Sequence, residues 1–437
     1  PFSPEDLLEI QEHCKRHYVR FVPSLASFGH FEKILMLPEY SELGEMPGFR
    51  DLPGGTTLCP VDPRSSELVK ELYDEFLPLF DADDFNACGD EPWELGKGRS
   101  KEKAEEIGTG HLYLDFVKKL RAHSAVHGKR MNLWSDIVLH HAEIIPEMPR
   151  DITLLNWAYH PGAERIKRNH EIAGSGLSFV CCPGTNGWKS HGARLYQGLQ
   201  NIEEFASVAK RDGAEGLLNT DWGDAGHRNM LGVSLCGMAY GGVQAWNPGS
   251  VGPEEHVRKF VASSFGEEMS GFAEVLEAIG DNDFGDWAYQ GLVEKLSEPE
   301  SLPDGFAKCG TVLDEVELST QQAEEKLQNL ENVRIPTPSE DKEVSVVGTF
   351  DGLALQEYTL AHRMNCESLR HLILARTIRG GGRPERKGIE AHLAGMRVIR
   401  QEFERLWMAR NRTSRLSDNL VGFDRVIAEL EEMYDDG

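Results

Sequence analysis

Six short apolar runs in the first 230 residues, each separated from the next by a stretch able to form a helix, constrain the fold more than any other feature. They are Tyr18 to Pro23, Phe85 to Cys88, Met131 to Trp134, Ile152 to Trp157, Leu177 to Cys182 and Gly216 to Thr220. Such alternation predicts β/α units, and short, continuously apolar runs suit parallel strands covered on both faces. The first helix opens on Ser3-Pro4-Glu5-Asp6, a capping hydroxyl, then Pro, then acids at the positive helix end. A (β/α)8 TIM barrel needs eight strands, so with six visible two are expected to precede Pro1. Because the first residue is Pro1 and not Met, upstream sequence and any signal peptide are expected to be missing.

After about residue 250 the pattern changes to long amphipathic helices without strand runs, which divides the chain into a barrel domain (1–250) and an α-helical domain (251–437). Arg334 to Asp341, with two prolines, is expected to be a linker, and Arg379 to Pro384 a loop between antiparallel helices. Ile389, Leu393, Met396, Ile399, Phe403, Leu406 and Trp407 keep a three-to-four spacing that marks a packing stripe. Arg410 continues it, as a helix-terminal cation or as a ligand-directed group. A wall over the barrel mouth built by Trp407 and Arg410, from the same chain or from the second subunit of a homodimer, is one expectation for this segment.

A formal charge of -26 over 437 residues argues against nucleic-acid backbones and anionic membranes as partners, and favours a neutral or cationic small ligand. No apolar stretch reaches the roughly 18 residues of a membrane span. Eight cysteines occur without a Cys-x-x-Cys pair, so they read as reduced core residues, which favours the cytoplasm. His30, His140, His141, His160, His191 and His227 keep a metal-dependent barrel hydrolase open as an alternative, but no His-x-His pair is present and no metal or cofactor is expected.

The ends of the apolar runs carry the chemistry. They read Ser27-Phe28-Gly29-His30, Gly89-Asp90-Glu91, Trp134-Ser135-Asp136, Trp157-Ala158-Tyr159, Gly187-Trp188 and Asp221-Trp222-Gly223-Asp224. In parallel barrels the reacting groups sit at strand carboxyl ends, which makes the adjacent carboxylates Asp90 and Glu91 catalytic candidates. Aromatic rings repeated at those ends suit sugar rings, whose C–H faces pack on aromatic faces while their hydroxyls meet carboxylates at the edge.

These residues resemble the β-N-acetylhexosaminidases of glycoside hydrolase family 20, through Phe28-Gly29-His30, Cys88-Gly89-Asp90-Glu91, Trp134 with Asp136, Trp157 and Trp222-Gly223-Asp224, over roughly the first 250 residues. The resemblance implies exo-acting, retaining hydrolysis of terminal β-linked N-acetylglucosamine or N-acetylgalactosamine, with the substrate's own acetamide as nucleophile. By position Glu91 is then the general acid and Asp90 the carboxylate that orients the acetamide N–H. Like-charge repulsion and an apolar pocket are expected to raise the pKa of Glu91. Trp134, Trp157 and Trp222 would enclose the sugar, His30, Asp136 and Asp224 would bind it, and Tyr159 would donate to the acetamide oxygen. Trp188 and Asp221 would support the pocket wall.

Departures from the family pattern are Asn86 and Cys88, where His and Gly are usual, and Ala26, where an Asp often partners the loop histidine. Cys182 to Trp188 lacks the usual Tyr and Asp, so Tyr159 is the substitute considered. A non-catalytic glycan-binding barrel is the remaining alternative.

Overall fold

The computed structural model describes residues 2–281, 286–297, 329, 334–336, 343–345 and 350–435. Five strands, β1 (Asp84–Asn86), β2 (Arg130–Trp134), β3 (Thr153–Trp157), β4 (Ser178–Cys182) and β5 (Gly216–Leu217), form one sheet in sequential order with every neighbour parallel. Helices lie between successive strands, among them Thr109–Val126 before β2 and Leu195–Asp212 before β5. A sequentially ordered parallel sheet with helical crossovers is an incomplete (β/α) barrel. The inner face of the curled sheet, including Asn86, Asn132, Thr153 and Val180, lines a groove of about 390 Å³.

β3 shows why these runs become strands. Thr153, Leu154, Leu155 and Asn156 are buried in succession, so burial does not alternate, as for a strand covered on both faces. The first helix, Pro4–Arg16, starts as its sequence requires: Ser3 Oγ accepts from Asp6 N, and Asp6 accepts from Ser3 N at 2.8 Å.

The first expected strand does not form a ladder. Tyr18 is fully exposed with φ of 58°, and Pro23 has no N–H to donate. Only Ser24 pairs, in an isolated parallel bridge to Asn86, with Leu25 N bonded to Asn86 O and Asn86 N to Pro23 O. At the other edge the Gly216 to Thr220 run shrinks to two strand residues, and Thr220 bridges Gly184 instead.

The chain divides into two compact units. The first comprises 1–158, 162–182 and 205–218, and the second 159–161, 183–204 and 219–437. In the first, Phe28, Phe85, Tyr113, Phe116 and Leu133 belong to a core between sheet and helices. In the second, the helices Phe350–Arg379, Arg386–Arg410 and Leu416–Asp435 bury the expected stripe from Ile389 to Trp407. The loop expected at 379–384 lies between the first two of these. Arg334–Pro336 is a strand paired antiparallel with Glu343–Ser345, not a plain linker, and residues 337–341 of that expectation lie outside the described residues. Among the described residues no helix is long and apolar enough to cross a membrane.

Candidate active site

The loop after β1 is tightly turned. Cys88, Gly89 and Glu91 have φ of 59°, 79° and 49°, and His30 on the facing loop has 56°. Three non-glycine residues in the left-handed region within one site store strain that the surrounding packing must hold. Part of that packing is backbone on backbone: a Cβ on Gly29 would lie 2.2 Å from the Asp90 carbonyl oxygen. Glycine is therefore required before His30. The buried Tyr113 hydroxyl donates to Gly89 O at 2.9 Å, and a Cβ on Gly89 would meet Leu133 at 2.6 Å.

His30 Nε2 lies 3.3 Å from Asp90 Oδ2 and 3.5 Å from Glu91 Oε2. Hydrogen bonds to Asp90 and then Glu91 raise its pKa to about 10, against the opposing effect of burial, so the ring is an imidazolium at neutral pH. Sequence reasoning left His30 without its orienting Asp, since position 26 is Ala. In the fold the two acids themselves are its partners.

Asp136, just after β2, is buried, and its Oδ2 accepts the Glu91 N–H at 3.1 Å. Burial first, then the charge of Asp90, pushes its pKa up to about 6. Its Oδ1 is buried without a hydrogen-bond partner among the described residues. Trp134 is buried at the end of β2, and its side chain hydrogen bonds the Cys88 thiol. Burial pushes that thiol up to about 12, so it is neutral. Trp157 carries the Arg165 guanidinium 3.7 Å from its ring centroid, a cation–π pair that sequence reasoning missed.

Two further carboxylates, Glu45 and Glu94, escaped the sequence reading because nothing in their local pattern distinguishes them from solvated acids. Glu94 is fully buried and accepts from Thr56 N, Thr56 Oγ1 and Thr57 Oγ1 at 2.5 to 2.7 Å. Glu45, equally buried, accepts from Gly98 N, Ser100 N and Ser100 Oγ. Together they fasten the segment that follows the acidic pair to residues 45–57.

The other candidates belong to the second unit. Trp222 Nε1 donates to the Tyr159 hydroxyl at 2.9 Å, and the Tyr159 ring meets buried Trp188 edge-on at 5.0 Å. Asp221 accepts from Thr185 Oγ1 and Ser234 Oγ, and burial raises its pKa. Asp224 is exposed, 3.6 Å from Lys189 Nζ.

Trp407 and Arg410 serve the helical core. Trp407 Nε1 donates to Arg412 O at 2.7 Å, and Arg410 Nε donates to fully buried Glu357 at 2.7 Å. Glu357 also accepts from Gly232 N at 2.8 Å. A buried carboxylate requires a cation, which explains an arginine at the end of an apolar stripe without invoking a ligand. Among the histidines considered for a metal, His191 contacts Ser368 and His160 contacts Gln197, while the His140 and His141 rings meet edge-on at 5.0 Å. Among the described residues no group of three or more His, Cys, Asp or Glu could hold a metal ion.

Paired carboxylates after a strand of a parallel β/α sheet are the arrangement of a catalytic barrel face. The chain belongs to glycosyl hydrolase family 20, whose catalytic domain its residues 1–234 match. Similar solved structures include a Flavobacterium johnsoniae chitobiase, at 13% identity and a TM-score of 0.48 over 96% of this chain and 68% of that one. Others are a Bacteroides fragilis β-N-acetylhexosaminidase (16%, 0.47, 62% and 57%) and a Vibrio harveyi exo β-N-acetylglucosaminidase (13%, 0.45, 63% and 46%). The chain thus spans between 46% and 68% of the length of these three. No curated protein matches it.

Proposed function

We propose that this chain carries the catalytic carboxylates of an exo-acting β-N-acetylhexosaminidase that works with retention of configuration. The observation that carries the reading is the juxtaposition of Asp90 and Glu91 after β1 with His30 Nε2 within 3.5 Å of both. Family membership supports it, as do the activities named for the similar solved structures.

In this reading the acetamide oxygen of the substrate attacks the anomeric carbon as the glycosidic C–O bond breaks. Glu91 gives its proton to the departing oxygen. Asp90 accepts the acetamide N–H and balances the positive charge that grows on the resulting oxazolinium ring. Water then adds at the anomeric carbon and returns a proton to Glu91, so two inversions give net retention. His30 Nε2 lies within 3.5 Å of both carboxylates, so the imidazolium faces the two groups to which the chemistry is assigned. Within the first unit, Trp134 and Trp157 are the aromatic groups assigned to the sugar.

A panel of chromogenic β-glycosides with and without the 2-acetamido group tests the proposal. Cleavage confined to the 2-acetamido sugars is expected. Comparable cleavage of 2-hydroxy glycosides would show that the nucleophile is not the acetamide.

A further inference from the structure

In the second unit the helices Phe350–Arg379 and Arg386–Arg410 leave a groove of about 320 Å³ between them, lined by residues that the glycosidase chemistry does not use. Its volume is that of a small-molecule site. Arg363, Cys366, Glu367 and Arg370 share one face of the first helix, at the i, i+3, i+4 and i+7 spacing, and Gly395 and Val398 face them from the second. A Cβ on Gly395 would collide with the Glu367 carboxylate. Glycine in a helix interior is destabilising, so this close approach is what it serves. Glu367 is 3% exposed and is compensated within the protein, with His392 Nδ1 2.7 Å from its Oε2 and Arg370 paired to its Oε1. Its charge is already matched. Arg363 is half-buried in the groove wall, and its side chain makes no ion pair or hydrogen bond among the described residues. A guanidinium presents five N–H donors, of which Arg370 directs one to Glu367. The groove therefore carries an excess of cationic donors, in a chain whose formal charge is -26. A concave, locally positive surface concentrates anions.

We propose that this groove binds a small organic phosphate, its phosphoryl group held between Arg363 and Arg370 and its uncharged body laid along Gly395 and Val398. Seven residues of helix separate the two arginine Cα atoms by about 10.5 Å, a span that two convergent arginines close. A phosphate monoester carries nearly two negative charges at neutral pH and accepts several hydrogen bonds, so it matches two guanidinium groups better than a single carboxylate does. The groove is also larger than a bare phosphate ion, which leaves room for the organic part. This site stands independently of the hexosaminidase reading, because every residue it uses lies in the two helices and none has a part in cleavage.

Isothermal titration calorimetry of the full chain with glucose 6-phosphate, inorganic phosphate, glucuronate and glucose tests the site. None of these probes carries the 2-acetamido group on which the hexosaminidase reading depends. Saturable binding of glucose 6-phosphate is expected, tighter than that of inorganic phosphate or glucuronate, with none for glucose. Arg363→Ala should weaken it by at least about tenfold, the scale of one lost charge-assisted hydrogen bond, and Arg363→Lys by less. Val398→Trp, at a position 45% exposed, fills the groove without removing a charge and should abolish binding. Arg363→Gln repeats the test should the alanine variant fold poorly. Absence of saturable glucose 6-phosphate binding overturns the proposal. So does equal or tighter binding of inorganic phosphate or glucuronate, or an affinity for glucose 6-phosphate that either Arg363→Ala or Val398→Trp leaves unchanged.

Discussion

His30 Nε2 stands 3.3 Å from Asp90 Oδ2, so the acid assigned to the acetamide is paired with a cation before substrate arrives. Raised to about 10 from an ordinary 6.5, the imidazole contributes stability that is complete below pH 6.5 and is lost as the pH climbs through 10. The ring is nearly half exposed, so solvent screening keeps the effect small, at most about 1 kcal/mol. Wild type should therefore lose stability relative to His30→Gln between pH 7 and 10, as measured by chemical denaturation at each pH. Parallel curves would show that the pairing contributes nothing.

Glu91→Gln should abolish cleavage of substrates with poor leaving groups, by a factor of about 10² to 10⁴, and spare activated aryl glycosides more, because a good leaving group needs little protonation. Equal losses on both kinds of substrate would count against Glu91 as the acid.

Asp90→Asn should reduce rates on all acetamido substrates by a similar factor, since stabilising charge on the acetamide does not depend on the leaving group. A Brønsted plot of rate against leaving-group pKa checks this. A changed slope would assign proton transfer to Asp90 instead.

Asp136 makes the opposite pH prediction to His30. Its carboxyl rises from 3.8 to about 6, a difference of about 3 kcal/mol that favours the neutral form in the folded state. The cost of ionising it begins as the pH rises past 3.8 and is complete above 6. Asp136→Asn should thus be stabilising relative to wild type at pH 7.5 and nearly neutral at pH 3.5. Denaturant midpoints at the two pH values read the difference, and an Asn variant less stable at pH 7.5 would contradict it.

Arg410→Ala leaves Glu357 buried without its cation and should cost about 3–5 kcal/mol of stability, while KM and kcat change little. Calorimetric melting alongside steady-state kinetics separates the alternatives. A raised KM with unchanged melting would restore Arg410 as a pocket wall.

The parallel sheet was legible in the sequence because its strands are local apolar runs, and four of the six expected runs carry strands of three to five residues. The acidic pair was legible because it closes one of those runs. Tyr18 to Pro23 misled because apolar content says nothing of a missing proline N–H or of a left-handed Tyr18. What only the tertiary structure decided are relationships between residues far apart in the chain. His30 finds its charge partners at Asp90 and Glu91, Asp136 holds a backbone N–H 45 residues away, and Arg410 answers a carboxylate 53 residues away. Periodicity and capping act within a few residues, so they shape strands and helices. The ionisation of His30 and Asp136, and the task of Arg410, follow from burial and from neighbours that only folding brings within 4 Å.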